Sequence, residues 1–147
     1  MTKPHPIELF FSSQHPISRH LGVRVLAVED RTLSVAVEAG DCFLADAETG
    51  EMHSGLASLV LDTVFGGAVM GTLDRLQPIA TIGLTTQHLR RPARGESLIC
   101  RARMQGVHDD VAHVTGHLES AATGEVLSTA TGSFMIGTRS KPLGVRL

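Results

Sequence analysis

The sequence predicts an α+β domain in which an antiparallel sheet wraps around one long central helix, and three observations predict it. Residues 54–73 are apolar on nearly every face apart from Asp62 and a few small hydroxylated residues, and a helix that is hydrophobic all round belongs in the middle of a structure. Segments with period-two alternation flank it: Val23, Val25 and Ala27 before it, then Leu98, Cys100, Ala102 and Met104, and Ala112, Val114, Gly116 and Leu118 after it. Alternation of this kind gives each strand one face for the core. The breaks between the later strands are short and rich in turn residues, at Pro92-Ala93-Arg94-Gly95, His108-Asp109-Asp110 and Ala122-Thr123-Gly124-Glu125, so they suit antiparallel connections.

Each element follows in order. Residues 6–13 are expected to form a short helix whose Ile7, Leu9, Phe10 and Phe11 need a cover, and Pro16 ends or restarts it. A hairpin begins near Leu21 and turns at Glu29-Asp30-Arg31 into residues 33–37. Residues 39–51, rich in Asp, Glu, Gly and Thr, read as a loop. After the helix come strands at 81–91, 97–107, 111–120 and 126–136, read as a meander, and 54–73 is the one long apolar helix available to cover them. The chain divides into an N-terminal helical segment (1–20), the main domain (21–137) and a loosely held tail (138–147).

Composition removes several function classes. At 147 residues the chain fits one domain, and a net charge of −2 offers no global basic field for nucleic acid or an anionic membrane. Without Trp or Tyr it also lacks the usual platforms for stacking bases. Cys42 and Cys100 form neither a disulfide framework nor a zinc-ligand pattern. A carboxylate at the centre of residues 54–73 and internal glycines there argue against a membrane span. The N-terminus lacks an uninterrupted apolar signal region, which makes the cytoplasm the default compartment.

The segment His53-Ser54-Gly55-Leu56-Ala57-Ser58-Leu59-Val60-Leu61-Asp62-Thr63 closely resembles the signature of PaaI-like hotdog-fold thioesterases, and Arg90-Arg91-Pro92-Ala93-Arg94-Gly95-Glu96 resembles that family's strand-to-turn element. The resemblance covers roughly residues 20–137 in element order. It implies a hotdog fold, a homodimer formed by joining two sheets edge to edge with a dimer of dimers beyond it, and hydrolysis of acyl-CoA thioesters without metal or redox cofactor. Coenzyme A enters only as part of the substrate. By family correspondence the oxyanion donor is the backbone N–H of Ser54, where the family carries glycine; this holds if Ser54 has an ordinary negative φ. Where the family usually has Asn or Gln, six residues before His53, this chain has Ala47, leaving Asp46 or Glu48 as substitutes. A hydroxyl assisting the carboxylate corresponds to Thr81, with Thr85 as the alternative.

The chemistry of the residues fits that implication. Free N–H groups and the macrodipole at the start of a helix suit a developing oxyanion, which places His53, Ser54 and Gly55 at a candidate site. Asp62, between Leu61, Val60, Val64 and Phe65 in sequence, is expected to be a weakly solvated base or nucleophile, against the alternative of a carboxylate satisfying a buried partner. Eight residues separate Ser54 from Asp62, about 12 Å along a helix, too far for one thioester carbonyl to touch both. If both act on one bond, they come from different copies. His53 is expected chiefly to order the loop entering the helix.

Arg90, Arg91 and Arg94 could hold the phosphates of coenzyme A, or form a solvated basic turn. His113 and His117 lie in a strand, about 13 Å apart, and do not suit one metal ion. No G-x-S-x-G elbow, P-loop or dinucleotide fingerprint is present. Two rivals stand beside the thioesterase expectation: a non-catalytic acyl-CoA-binding or sensing module, and a hotdog hydratase or dehydratase.

Overall fold

A computed structural model of the chain describes residues 4–139. Most of the expected tail, from residue 140 on, lies outside the described residues. The elements are α1 (Pro6–Leu9), a π-helical turn (Phe10–Gln14), α2 (Pro16–Leu21), β1 (Arg24–Glu29), β2 (Thr32–Val37), a 3-10 turn (Asp41–Phe43), α3 (Gly55–Gly71), β3 (Ile79–His88), β4 (Leu98–His108), β5 (Val111–Ser120) and β6 (Val126–Ile136).

The six strands form one antiparallel sheet in the order β1-β2-β4-β5-β6-β3. Two tight turns have the same cause. Asp30 and Arg31 between β1 and β2, and Asp109 and Asp110 between β4 and β5, all have positive φ, the conformation that matches a two-residue turn to the twist of its strands. The expected meander needs correction. β4, β5 and β6 are neighbours in sequence and in space, but β3 pairs with β6, and β2 pairs with β4. Helix α3 carries the chain from β2 across the sheet to its far edge, so the segment with Pro92 and Gly95 crosses the sheet end instead of closing a hairpin. β3 also stops at His88, short of Arg91, because the N–H groups of Leu89 and Arg90 both donate to the Leu127 carbonyl.

Helix α3 packs against β2, β3, β4, β5 and β6. Leu56, Val60, Leu61, Val64, Phe65 and Val69 on it are buried against Leu33, Val35, Cys100, Ala102, Leu118 and Phe134 of the sheet. One stripe escapes this burial: Ser58, Leu59, Asp62 and Thr63 are half-buried, and their three-to-four spacing places them on one side of the helix.

The N-terminal segment covers another side. A four-residue helix has negligible stability alone. What holds the segment is burial of Ile7, Phe10, Phe11 and Leu21, each worth about 1.5–3 kcal/mol. Gly67 permits this approach, since a Cβ there would lie 2.5 Å from Phe11 Cζ and 2.9 Å from Leu33 Cδ2. Among the described residues, no helix is long and apolar enough to cross a membrane.

Candidate active site

Asp62 sits on the open stripe of α3. Leu61, Val60, Val64 and Phe65 next to it in sequence turn into the core, so the weakly solvated carboxylate expected from those neighbours is instead half-buried at a cavity wall. Thr81 Oγ1 donates a 2.8 Å hydrogen bond to Asp62 Oδ1. Among the described residues the other oxygen, Oδ2, has no hydrogen-bond partner.

A β-bulge decides between the two threonines. Thr81 pairs with Phe134 and Gly83 with Ser133, so Ile82 is an extra residue in the ladder. Strand side chains alternate with period two, and without the bulge Thr81 and Thr85 would share a face. With it, Thr81 shares the helix-facing side with buried Phe134, while Thr85 pairs with exposed Thr131 on the other side. The structure brings Thr81 to Asp62 and leaves Thr85 away from it.

The start of α3 is a separate cluster. Ser54 is its N-cap residue, with φ −59° and ψ −27°, the ordinary negative φ that a serine in place of glycine requires. Its N–H has no acceptor among the described residues. The neighbouring N–H of Gly55 is already engaged, donating to His53 Nδ1 at 3.0 Å. A side chain at Gly55 would bring its Cβ to 2.9 Å from that same nitrogen, so the glycine lets the imidazole fold over the helix start. His53 is itself fixed by its N–H, which donates to the Phe43 carbonyl. Ser54, not Gly55, therefore keeps a donor for a ligand. Helix α3 runs unbroken from Gly55 to Gly71, so about 12 Å separates Ser54 from Asp62 in one copy.

The basic turn packs beside that helix start. Met52 N–H donates to the Pro92 carbonyl and Arg94 N–H to the Gly50 carbonyl. All three arginines meet carboxylates. Arg90 is clamped by Glu96 through two hydrogen bonds of 2.8 and 3.0 Å, and by Glu125 at 2.8 and 3.1 Å. Those bonds raise the Arg90 pKa above its ordinary range, and the Arg90 guanidinium holds the Glu96 carboxyl down at about 2. Its donors being spent on Glu96, Glu125 and the Arg91 carbonyl, Arg90 secures the turn. Arg91 meets Glu51 at 3.4 Å, and Arg94 pairs with Asp41. Both pairs are about half exposed, where an ion pair is worth little and opens readily to an anion. Asp46 near Ala47 accepts from the N–H groups of Glu48 and Thr49, which commits it to its own turn.

A cavity of about 430 Å³ opens beside Asp62 and Thr81. Thr63, Gly66 and Met70 of α3, residues 76–78 of the following connection, Ile79 of β3 and Phe134 line it, and Phe10, Gln14 and His15 of the N-terminal segment complete the lining. The N-terminal residues were not among the expected site residues. The signal for them was the apolar patch around Phe10, which needed something to cover. Burial lowers the pKa of His15, keeping it neutral near pH 7. Cys100 is buried, with its thiol pKa pushed up by that burial, and it lies outside the cavity lining. The expected strand histidines also have ordinary partners: His113 meets Ser133 at 3.1 Å and His117 meets Glu119 at 2.8 Å.

No family model matches the sequence, and none of the curated proteins matches it. Solved structures do match. A phenylacetic acid degradation-related protein of Ralstonia eutropha JMP134, assigned as a thioesterase, is 28% identical, with TM-score 0.74, over 88% of this chain and 98% of that one. The E. coli PaaI protein of the phenylacetic acid degradation operon has TM-score 0.75 at 13% identity, over 86% of this chain and 88% of that one. A Streptococcus mutans UA159 protein bound to acetyl CoA has TM-score 0.69 at 17% identity, over 81% and 91% of the two chains.

Proposed function

The chain has the hotdog fold, and its structural neighbours include PaaI-like thioesterases of the phenylacetic acid degradation type; from these and the site geometry we propose that it hydrolyses acyl-CoA thioesters at a site shared by two copies. One observation carries the reading. A carboxylate held through one oxygen by a threonine hydroxyl, with the other oxygen free, stands at the wall of a largely apolar cavity. An acyl group fits such a cavity, whose volume falls in the lower part of the range for small-molecule sites.

In this account the acyl group lies in the cavity and its carbonyl carbon faces Asp62 Oδ2. Asp62 removes a proton from water as it attacks, or attacks the carbonyl itself. The carbonyl oxygen becomes an oxyanion, which the Ser54 N–H and the dipole of the second copy's α3 stabilise. The C–S bond then breaks and coenzyme A leaves as thiolate and takes a proton; where water attacked, the free acid departs at once, and where Asp62 attacked, water first hydrolyses the Asp62–acyl anhydride to release the acid and restore the carboxylate. Thr81 fixes the carboxylate, so that its orientation costs nothing at the moment of attack.

Two copies are required because Ser54 and Asp62 stand about 12 Å apart in one helix. β3 is a sheet edge, with exposed Ile82 on it, and an unpaired edge is a template for another strand. Arg91 and Arg94, whose carboxylate partners are exposed, are the candidates for the coenzyme A phosphates. The acetyl CoA bound by the Streptococcus mutans protein supports this class of ligand. The hydratase alternative needs a catalytic histidine in the site, and retained thiol release in His53→Ala would speak against it.

The test is thiol release from a panel of aryl and fatty acyl-CoAs by the wild type and Asp62→Asn. Turnover of at least one member, lost in the mutant, supports the reading. Binding of acyl-CoA without release from any member overturns it in favour of a sensing module.

A further inference from the structure

A second cavity, also of about 430 Å³, opens where the β1–β2 turn meets the C-terminal end of α3 and the start of the N-terminal segment. It shares no lining residue with the cavity beside Asp62, and its volume lies within the range of small-molecule sites. The space exists because α3 presents only Gly67, Ala68, Gly71 and Thr72 to it. Packing explains Gly67, where a Cβ would strike Phe11 and Leu33. It does not explain Gly71, where a Cβ would find its nearest neighbours, His5 and Val28, at 3.8 and 3.9 Å. The helix leaves that room unfilled.

Val28, Leu33, Ala68 and Met104 give the cavity an apolar wall. Its charged side chains are Asp30 and Arg31, adjacent in the turn. Their backbone is held in place: both have positive φ, and the Arg31 carbonyl accepts from the Met104 N–H at 2.9 Å. Although opposite in charge, the two side chains pair neither with each other nor with any other group among the described residues. His5 adds a donor. Its Nδ1 accepts the Ile7 N–H at 3.2 Å, which puts the imidazole proton on Nε2, and Nε2 has no partner among the described residues. The end of α3 contributes the negative pole of a helix dipole.

We propose that this cavity binds a small zwitterion, an α-amino acid with an apolar side chain. Its carboxylate meets the Arg31 guanidinium and the His5 Nε2–H, in charge-assisted hydrogen bonds. Its ammonium meets Asp30 and the negative end of α3, and its side chain lies against Val28, Leu33 and Met104. A plain carboxylate would satisfy Arg31 but face Asp30 and the helix end. A plain amine would satisfy Asp30 and face Arg31. A ligand carrying both charges matches both groups.

The experiment is calorimetric titration of the full chain with L-leucine and L-phenylalanine. Beside them are titrated 4-methylpentanoate and 3-phenylpropanoate, which lack the ammonium, and 3-methylbutylamine and 2-phenylethylamine, which lack the carboxylate. At least one amino acid should saturate the protein with a Kd of about 1 mM or tighter, and should bind about tenfold or more tightly than either of its single-charge analogues. Arg31→Gln and Asp30→Asn should each weaken it by about tenfold or more. Asparagine tolerates positive φ, so Asp30→Asn decides the matter if Arg31→Gln does not fold, judged by circular dichroism. No saturation by either amino acid, analogues that bind as tightly, or wild-type affinity in a folded variant overturns the proposal. Thiol release is not part of the measurement, so the outcome is independent of the thioesterase reading.

Discussion

Thr81 Oγ1 lies 2.8 Å from Asp62 Oδ1, joining the start of β3 to the middle of α3. The bond is possible because the Ile82 bulge turns Thr81 to the helix side. Thr81→Val removes the hydroxyl at nearly constant shape and should lower kcat by about tenfold, the equivalent of one hydrogen bond to a charged group. Thr81→Ser should restore most of it. Equal kcat in the valine variant and the wild type, with both folded, would detach Thr81 from the chemistry.

Asp62→Asn keeps the shape and removes the base or nucleophile. It should lower kcat by about 100-fold or more while leaving thermal unfolding near that of the wild type. Stopped-time thiol assays beside a melting curve separate the two effects. Near-normal turnover in a folded mutant would remove Asp62 from the mechanism.

The central helix and the last two strands were legible because their patterns are local. The strands read over 111–120 and 126–136 coincide with β5 and β6, and the all-round apolar run coincides with α3 to within a turn. Strand order was not legible. Short connections favour neighbours, but β3 follows a helix that crosses the sheet, and its partner is chosen by packing forty or more residues away. The choice of Thr81 over Thr85 rests on a bulge whose only trace in sequence is Ile82-Gly83, too little to fix a register. The clamp on Arg90 depends on Glu125, 35 residues later, which no spacing rule reaches. That Phe10 and His15 line the cavity required knowing where α3 exposes Asp62 and Met70.

Two adjacent glycines should respond differently to alanine. At Gly67 the new Cβ would meet the Phe11 ring at 2.5 Å and Leu33 at 2.9 Å, so both must shift, at about 1–3 kcal/mol. At Gly66 the nearest atom is Ile79 Cδ1 at 3.1 Å, the end of a flexible side chain that lines the cavity. Urea unfolding should show a large loss for Gly67→Ala and a smaller one for Gly66→Ala. The latter should instead alter relative kcat/KM across acyl chains. Equal destabilisation by the two changes would contradict this assignment.

Acid should release the turn at Arg90. The folded Glu96 pKa, about 2, lies below its ordinary value of 4.5. A depressed folded pKa contributes stability that is fully present above the unfolded value and lost as pH falls through the folded one. The contribution should therefore disappear between about pH 4.5 and pH 2. Glu96→Gln should cost about 2 kcal/mol at pH 7, and the gap between mutant and wild-type melting temperatures should close over that acid range. A gap independent of pH would show that the carboxylate's charge is not what holds the turn.

The shared site is tested most directly by mixing two inactive proteins. Ser54 has φ −59° and an N–H without an acceptor among the described residues, so Ser54→Pro fits the backbone while deleting the proposed oxyanion donor. Ser54→Pro and Asp62→Asn should each be nearly inactive alone. In a heterodimer both lesions fall in one site and the other site is intact. After subunit exchange, with heterodimer formation verified by native mass spectrometry, activity should return towards half the wild-type value per heterodimer. Heterodimers of two folded parents that stay inactive would contradict a site built from Ser54 of one copy and Asp62 of the other.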